Sequence, residues 1–161
     1  MGITIIGLTM LGIGTFKVTL HNKAMEMNNL VGQTHDILHE SALLKISYQN
    51  ILLHERAYLL TGEEDEILQI DFFIDSFVQH HGKLSSLTKG NELQQQELFR
   101  LMQVFLNMHN KVIDPMLQMR SLMEASPADF VQGYQFTDKF QQSETYTSEQ
   151  LAILDGIEQR A

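Results

Sequence analysis

Residues 55–66, with the sequence ERAYLLTGEEDE, contain the first reversal of the chain. Apolar residues run up to Thr61 and Gly62, and four acidic residues follow directly. Glycine suits the left-handed backbone position just beyond a helix C-terminus, and Thr61 with Glu64 has the spacing of a capping box. Acidic side chains are stabilised near a helix N-terminus. The stretch therefore predicts a tight turn between antiparallel helices, in which the acids cap a helix and take no part in catalysis.

A seven-residue repeat of apolar side chains precedes this turn and predicts a first helix over residues 22–60. One row of the repeat consists of Leu30, Ile37, Leu44, Ile51 and Tyr58. The adjoining row consists of Val31, Leu38, Leu52 and Leu59. A sustained repeat of this kind is typical of a helix that packs nearly parallel to its partners.

Apolar residues also recur every three or four positions after the turn, which predicts a second helix over residues 64–87 and a third over residues 91–124. Pro115 lies on the apolar stripe of the third helix and is expected to kink it. A fourth helix is expected to start at Ser126 and Pro127 and to reach about residue 159. Its polar segment, residues 143–150, leaves the continuity of that helix open. No strand pattern is present, so the predicted fold is all-α, an up-down-up-down antiparallel four-helix bundle.

The composition limits the classes of partner. The chain has 161 residues, enough for one domain, and its net charge is -9. Nucleic acids and anionic lipid surfaces bind clustered basic residues, so neither is expected as a partner. The absence of cysteine excludes disulfides and thiolate-rich zinc sites.

The N-terminal segment, residues 2–16, is uncharged and mostly apolar and ends before Lys17. Its roughly 15 residues would form a helix ~22 Å long, whereas a helix needs ~20 residues to cross a bilayer. We expect residues 1–20 to be the end of a transmembrane helix that is continuous with the first bundle helix. Residues 21–161 would then form an extracytoplasmic domain. A buried helix of a soluble domain is the alternative.

Enzyme chemistry is not expected. A di-iron enzyme on this fold needs Glu-x-x-His motifs on two helices, and none of the seven histidines provides one. His35 and His39 stand one turn apart and are a weak candidate metal pair. No third ligand is evident, so a solvated polar face is favoured. The sequence therefore predicts no enzyme, no metal and no cofactor.

One constellation of charged and polar residues is a candidate binding site. Arg56 lies about one and a half turns before the first reversal, and Arg120 lies a similar distance before the second. In an antiparallel bundle both arginines would be near one end, together with Glu55 and Tyr58. Two guanidinium groups and a phenol could hold a small anion. The alternative is an ion pair between Arg120 and Glu55 that fixes the helix register.

Residues 56–64, RAYLLTGEE, resemble a signature of the third class of cyclase/histidine-kinase-associated sensory extracellular (CHASE) domains. That signature reads Arg-Gly-Tyr-Leu-Leu-Thr-Gly followed by two acids, and this chain departs from it at Ala57. Residues 112–120, VIDPMLQMR, are similar to a proline-containing segment of the family. The resemblance implies a periplasmic four-helix sensor of a bacterial receptor at the inner membrane. Its output would be a histidine kinase, a diguanylate cyclase or a chemoreceptor signalling domain.

On this reading the domain passes a stimulus to the cytoplasm by a small displacement of its first and fourth helices. The alternative function is a passive dimerisation and spacing bundle without a ligand. The first predicted helix spans ~57 Å and the second only ~36 Å, so part of the first and fourth helices would lack partners. We therefore expect a parallel homodimer through Leu30, Val31 and Ile37 of the first helix and Leu151 and Leu154 of the fourth.

Overall fold

The computed structural model describes the backbone of residues 2–122 and 135–161, with side chains for residues 19–120, 139 and 141–161. Over these residues the chain is helical and contains no strand, which confirms the all-α class. The helices are α1 (Gly2–Thr61), α2 (Glu64–Leu87), α3 (Glu92–Met108), a π-helical segment (His109–Ile113), α4 (Asp114–Leu122) and α5 (Gln135–Glu158). The predicted third helix corresponds to α3, the π segment and α4 together.

The fourth helix is continuous where the sequence left it open, because α5 runs unbroken through residues 143–150. Its expected start at Ser126 and Pro127 lies outside the described residues. The chain divides into two compact units, Met1–Asp36 and Ile37–Ala161. The first unit is a stretch of α1, and the described residues contain no helix with the length and apolar content needed to cross a membrane.

The first reversal forms as predicted at Gly62. This glycine has a φ of 75°, and its N–H donates to the Tyr58 carbonyl over 2.7 Å, which closes the C-terminus of α1. The predicted capping box is wrong, because the N-cap position of α2 is Glu63, whose side chain makes no capping hydrogen bond. Thr61 still belongs to the last turn of α1, so its hydroxyl donates back to the Ala57 carbonyl (2.9 Å) and accepts from the Glu63 N–H (3.1 Å). The acids of the first turn of α2 lie where the helix dipole favours them.

Polar pairs across the helices define their relative directions. On α1 and α2, residue numbers rise on one helix as they fall on the other, in the pairs Glu40–His80, Ser47–Ser76 and His54–Glu66. The same is true of α2 with α3, where Ser85 bonds to Gln95 and the His81 ring bonds to the Leu98 carbonyl. It is also true of α3 with α5, in the pairs Gln94–Ile157 and Arg100–Glu149. Neighbouring helices are therefore antiparallel in each of these pairs.

The core is built on the inner heptad row of α1. Ile37, Leu44, Ile51 and Tyr58 are buried, whereas Leu30 is exposed. Tyr48, which the repeat did not identify, lies in a layer that joins four helices. Its ring contacts Phe77 of α2, which stacks on Phe105 of α3 with centroids 4.1 Å apart. Its hydroxyl is 2.8 Å from the Thr147 hydroxyl of α5.

Pro115 disturbs the third predicted helix through a change of helix type. The π segment ends just before Asp114 and Pro115, where proline has no N–H for the Lys111 carbonyl four residues earlier. That carbonyl accepts a hydrogen bond of 2.7 Å from Lys139 Nζ of α5. The side chain of a neighbouring helix thus satisfies the backbone group that proline leaves without its usual donor.

The expectation that Ile37, Leu151 and Leu154 would lack packing partners within one chain is wrong. Ile37 and Leu154 are buried, and Leu151 is half-buried. The reason is that α5 ends level with the α2–α3 turn, where Gln94 of α3 donates to the Ile157 carbonyl. No stretch of α5 therefore extends past α2 and α3. Leu30 and Val31 remain exposed, at 55% and 63%.

Gln150 on α5 is an uncharged polar side chain inside this core. It is fully buried, and within the described residues neither its amide nitrogen nor its amide oxygen has a hydrogen-bond partner. A buried polar group without a partner costs roughly 1–3 kcal/mol. The polar segment that made the fourth helix uncertain thus places an unfavourable group at the centre of the bundle.

We predict that Gln150→Leu raises the free energy of unfolding by about 1–2 kcal/mol, because leucine has a similar volume and no polar group to satisfy. Urea denaturation followed by circular dichroism measures the change. Gln96→Leu, at an exposed position of α3, is the matched control and should change stability by less than ~0.5 kcal/mol. A loss of stability in Gln150→Leu would show that the amide is satisfied in solution.

Candidate functional site

The four residues of the predicted anion site occupy the end of the bundle that holds the first reversal. Glu55 and Tyr58 lie in the final turns of α1 and are buried, at 3% and 5% exposure. Arg56, between them in sequence, is exposed. Arg120 lies in the last turn of α4 and is half-buried. The structure thus places two of these side chains inside the bundle and Arg56 on its surface.

Arg120 lies directly against the Gly62 turn. A Cβ atom added to Gly62 would lie 2.5 Å from Nη2 and 3.1 Å from Cζ of the arginine. The guanidinium group therefore occupies the space that a side chain at position 62 would need. It also lies just beyond the C-terminus of α1, where the helix dipole favours a cation. This contact confirms that the first reversal and Arg120 are at the same end of the bundle.

Glu55 is a buried carboxyl group that forms no hydrogen bond or ion pair with the described part of the chain. The predicted Arg120–Glu55 ion pair therefore does not form. Burial raises the pKa of Glu55 to about 7, and the positive charge of Arg56 offsets only part of this effect. The protonated form of this side chain therefore persists to higher pH than that of an exposed glutamate.

The pKa of the Tyr48 phenol depends in part on the charge of Glu55. Burial raises its pKa to about 12, the hydrogen bond with Thr147 acts in the opposite direction, and the Glu55 charge adds to the rise. Tyr48 is therefore a neutral hydrogen-bonding group at every physiological pH. Its electrostatic coupling to Glu55 connects the buried carboxyl to the layer that joins the four helices.

Two histidine–carboxylate pairs, which the sequence did not reveal, join α1 to α2. His80 Nδ1 lies 2.6 Å from the Glu40 carboxylate, and His54 Nδ1 lies 2.6 Å from that of Glu66. Burial acts to raise the pKa of Glu40, but the His80 hydrogen bond and the charge of Lys83 together hold it below its usual value. The partners in these two pairs are 12 and 40 positions apart in the sequence. Such pairs depend on the register of the helices, so no local motif could have predicted them.

The weak metal candidate gains no further ligand. His35 is exposed on α1, with Nδ1 3.9 Å from the Asp36 carboxylate, and His39 is exposed as well. Over the described ranges, no cluster of three or more histidine and acidic side chains has a geometry that could hold a metal ion. Separately, a groove of about 440 Å³ on α5 is lined by Gln141, Gln142, Thr145 and Tyr146. These described lining residues offer hydrogen-bonding groups and no charge.

Comparison with known protein families decides the identity of this bundle. The model of the CHASE3 domain matches residues 27–155, which include the Gly62 turn, the buried Glu55 and Arg120. The chain belongs to the CHASE3 domain family. This match confirms the resemblance found at residues 56–64. CHASE3 domains are extracellular sensory domains of signalling receptors and are not catalytic. Comparisons of this CHASE3 domain with curated proteins and with solved structures gave no match.

We predict that Gly62→Ala destabilises the domain by about 2 kcal/mol. About half of the loss comes from the positive φ and the rest from displacement of the Arg120 guanidinium. In an Arg120→Ala background the cost should fall to about 1 kcal/mol, because only the backbone strain remains. Thermal or urea denaturation of the four proteins gives the coupling between the two positions.

Gly82→Ala is the matched control for this cycle, because Gly82 is exposed within α2 and has open space where a Cβ would lie. It should stabilise the domain by about 0.5–1 kcal/mol, since alanine is the better helix former. An equal cost of Gly62→Ala with and without Arg120 would mean that the arginine does not contact the turn in solution.

We also predict that the domain loses stability as the pH rises from 4.5 towards 7. In this range the unfolded chain ionises Glu55, whereas the folded domain, with its raised pKa, keeps the proton. The unfolded state then binds fewer protons, so this group lowers the free energy of unfolding, by on the order of 3 kcal/mol in full. Glu55→Gln should remove most of this slope, as measured by urea denaturation at several pH values. Glu144→Gln, at an exposed position of α5, should leave the slope unchanged.

Proposed function

We propose that this CHASE3 domain is the extracytoplasmic sensory domain of a bacterial receptor at the inner membrane. Its output would be a histidine kinase, a diguanylate cyclase or a chemoreceptor signalling domain. The observation that carries the proposal is the family match over residues 27–155, because CHASE3 domains are sensory parts of receptors. The competing proposal, a passive spacer, predicts the same fold but no ligand.

The helix contacts support an up-down-up-down topology that would suit signal transmission. Ser41 of α1 donates to Glu158 at the end of α5, and Lys45 bonds to Asp155 and Glu158. The first and last helical turns of the Ile37–Ala161 unit therefore lie at the same end of it. Ser41 is buried, whereas the Lys45 pairs are partly exposed and could be exchanged for water when α5 shifts along α1. A ligand would drive such a shift only if it bound one helix arrangement more tightly than the other.

The uncharged segment 2–16 is proposed as the membrane end of the receptor's first helix. It is helical and belongs to the same α1 that carries the inner core row.

The proposed ligand is a small anion held by Arg56, Arg120, Tyr58 and Glu55. An ionised Glu55 would repel an anion. With a pKa of about 7, however, the carboxyl is partly protonated and can donate a hydrogen bond. Arg120 at the α1 C-terminus would provide the charge, whereas Arg56 is exposed on the surface of α1 and would contribute only through its positive charge. The raised pKa of Glu55 reduces the repulsion between this carboxyl group and an anion.

Titration calorimetry of the domain against phosphate, nitrate and a panel of carboxylates tests this proposal. We expect at least one anion to bind, with affinity reduced more than tenfold by Arg120→Ala and retained by Arg100→Ala. Arg100 is the matched control, since it is an exposed arginine paired with Glu149 on another part of the surface. Absence of binding by every anion would favour the spacer.

The receptor is also proposed to act as a parallel homodimer, in which two copies share one membrane. The exposed Leu30 and Val31 of the Met1–Asp36 unit support this proposal, because they continue the heptad rows of α1 without being buried. The two residues are close to the proposed membrane end, where co-anchoring raises the effective concentration of the second copy.

A further inference from the structure

The outer face of α1 carries a second apolar row, which the core does not use. Its positions alternate in spacing between four and three residues, and all are exposed: Ala42, Ile46, Gln49, Leu53, Arg56 and Leu60. We call these six residues the outer row. Ile46, Leu53 and Leu60 are 50%, 59% and 66% exposed, high values for large aliphatic side chains.

The outer row faces away from the bundle because of its offset from the inner row. Ile46, Leu53 and Leu60 each follow a core residue by two positions, namely Leu44, Ile51 and Tyr58. Successive residues turn by about 100° around a helix, so two positions correspond to roughly 200°. The α1 helix thus carries two heptad rows on opposite faces, of which only one is covered by this chain.

Charge makes a second copy of the chain the best-suited occupant of this face. The chain carries 20 acidic residues, yet the outer row has none. Two such rows can meet without carboxylate repulsion, although the whole protein has a net charge of -9. Alternating four and three spacing is also the pattern that interlocks with an identical helix, by packing each side chain between those of the partner.

Gln49 indicates the direction of the second helix. In a parallel, in-register pair it would face Gln49 of the other copy, and an amide can donate to and accept from an identical amide. In an antiparallel pair centred on the row it would face Leu53 and lose those hydrogen bonds. A polar residue at one such position is known to fix the register of paired helices. Arg56 can extend its long side chain past the edge of the row into water.

We propose that the outer row is the face through which two copies of this chain pair, in parallel and in register. This pairing rests on the proposed receptor function, because a receptor would anchor both copies in one membrane. The contact surface itself lies within the Ile37–Ala161 unit. Three half-exposed aliphatic residues per copy are few for a stable complex, which buries ~1,200–2,000 Å². The pair should therefore be weak in solution and form when both copies are anchored side by side.

Disulfide crosslinking of the full receptor in membranes tests the proposal, and the chain contains no cysteine that could interfere. Single cysteines at Ile46, Leu53 and Leu60 should form disulfides between copies under mild oxidation. The matched control is Phe99→Cys, since Phe99 of α3 is 68% exposed and lies outside the outer row. We expect a crosslinked fraction several-fold higher at the outer row than at Phe99.

A second variant tests the contact without relying on reactivity at one position. Adding Gln49→Glu to the Leu53→Cys protein should lower the crosslinked fraction several-fold, because two carboxylates would then meet in the row. Gln103→Glu, at an exposed position of α3, should have no such effect. Circular dichroism of each variant verifies that the helices are retained.

Equal crosslinking at Leu53 and Phe99, or insensitivity to Gln49→Glu, would overturn the outer row as the interface. Crosslinking confined to Leu30 and Val31 would also overturn it, while leaving the receptor homodimer in place. Arg56 belongs to both the outer row and the proposed anion site, but the calorimetric test relies on Arg120, which lies on α4 outside the outer row. The calorimetric result therefore distinguishes failure of the pairing face from failure of the sensory function.

Discussion

The left-handed backbone of Gly62 fixes where α1 ends, and the register of the helices that follow depends on it. Glycine reaches a φ of 75° without the strain that a Cβ would impose. Its missing side chain also leaves the space that the Arg120 guanidinium occupies, so one residue connects the first reversal to the end of α4. Once this turn is set, His54 meets Glu66, Ser47 meets Ser76 and Glu40 meets His80. A longer or shorter turn would break all three pairs together.

The interior of the bundle is more polar than its heptad rows suggest. Glu55 and Gln150 are buried without partners among the described residues, and the Tyr48 hydroxyl bonds across to Thr147. Glu55 and Gln150 lower the stability of the packed state, so a neighbouring arrangement that hydrates or ligates them lies closer in free energy. A sensory domain needs two helix arrangements of similar free energy. This polar interior gives a physical reason why α1 and α5 could move against each other.

The two faces of α1 link the interior of one copy to the proposed second copy. Tyr58 faces the core, and Leu60 two residues later faces outward; Glu55 is buried, and Arg56 beside it is exposed. Any change in the protonation or ligation of Glu55 therefore acts on the same helical turn that carries the outer row. A rotation of α1 by a few degrees would alter both packing surfaces at once, because the helix is rigid between them.

The sequence by itself determined the all-α class, the C-terminal end of α1, the limits of α2, the positive φ of Gly62 and the inner core row from Ile37 to Tyr58. All of these follow from local properties, namely the spacing of apolar residues and the conformational freedom of glycine. It also placed Glu55, Tyr58 and Arg120 near one end of the bundle. The number of residues between each of them and the nearest turn gives its height along the helix. Only the tertiary structure decided that Thr61 stays in α1, that α5 ends level with the α2–α3 turn, and that Glu55 and Gln150 are buried without partners among the described residues. Burial and pairing depend on how distant helices are rotated and shifted against one another, and no local pattern in the sequence contains that information.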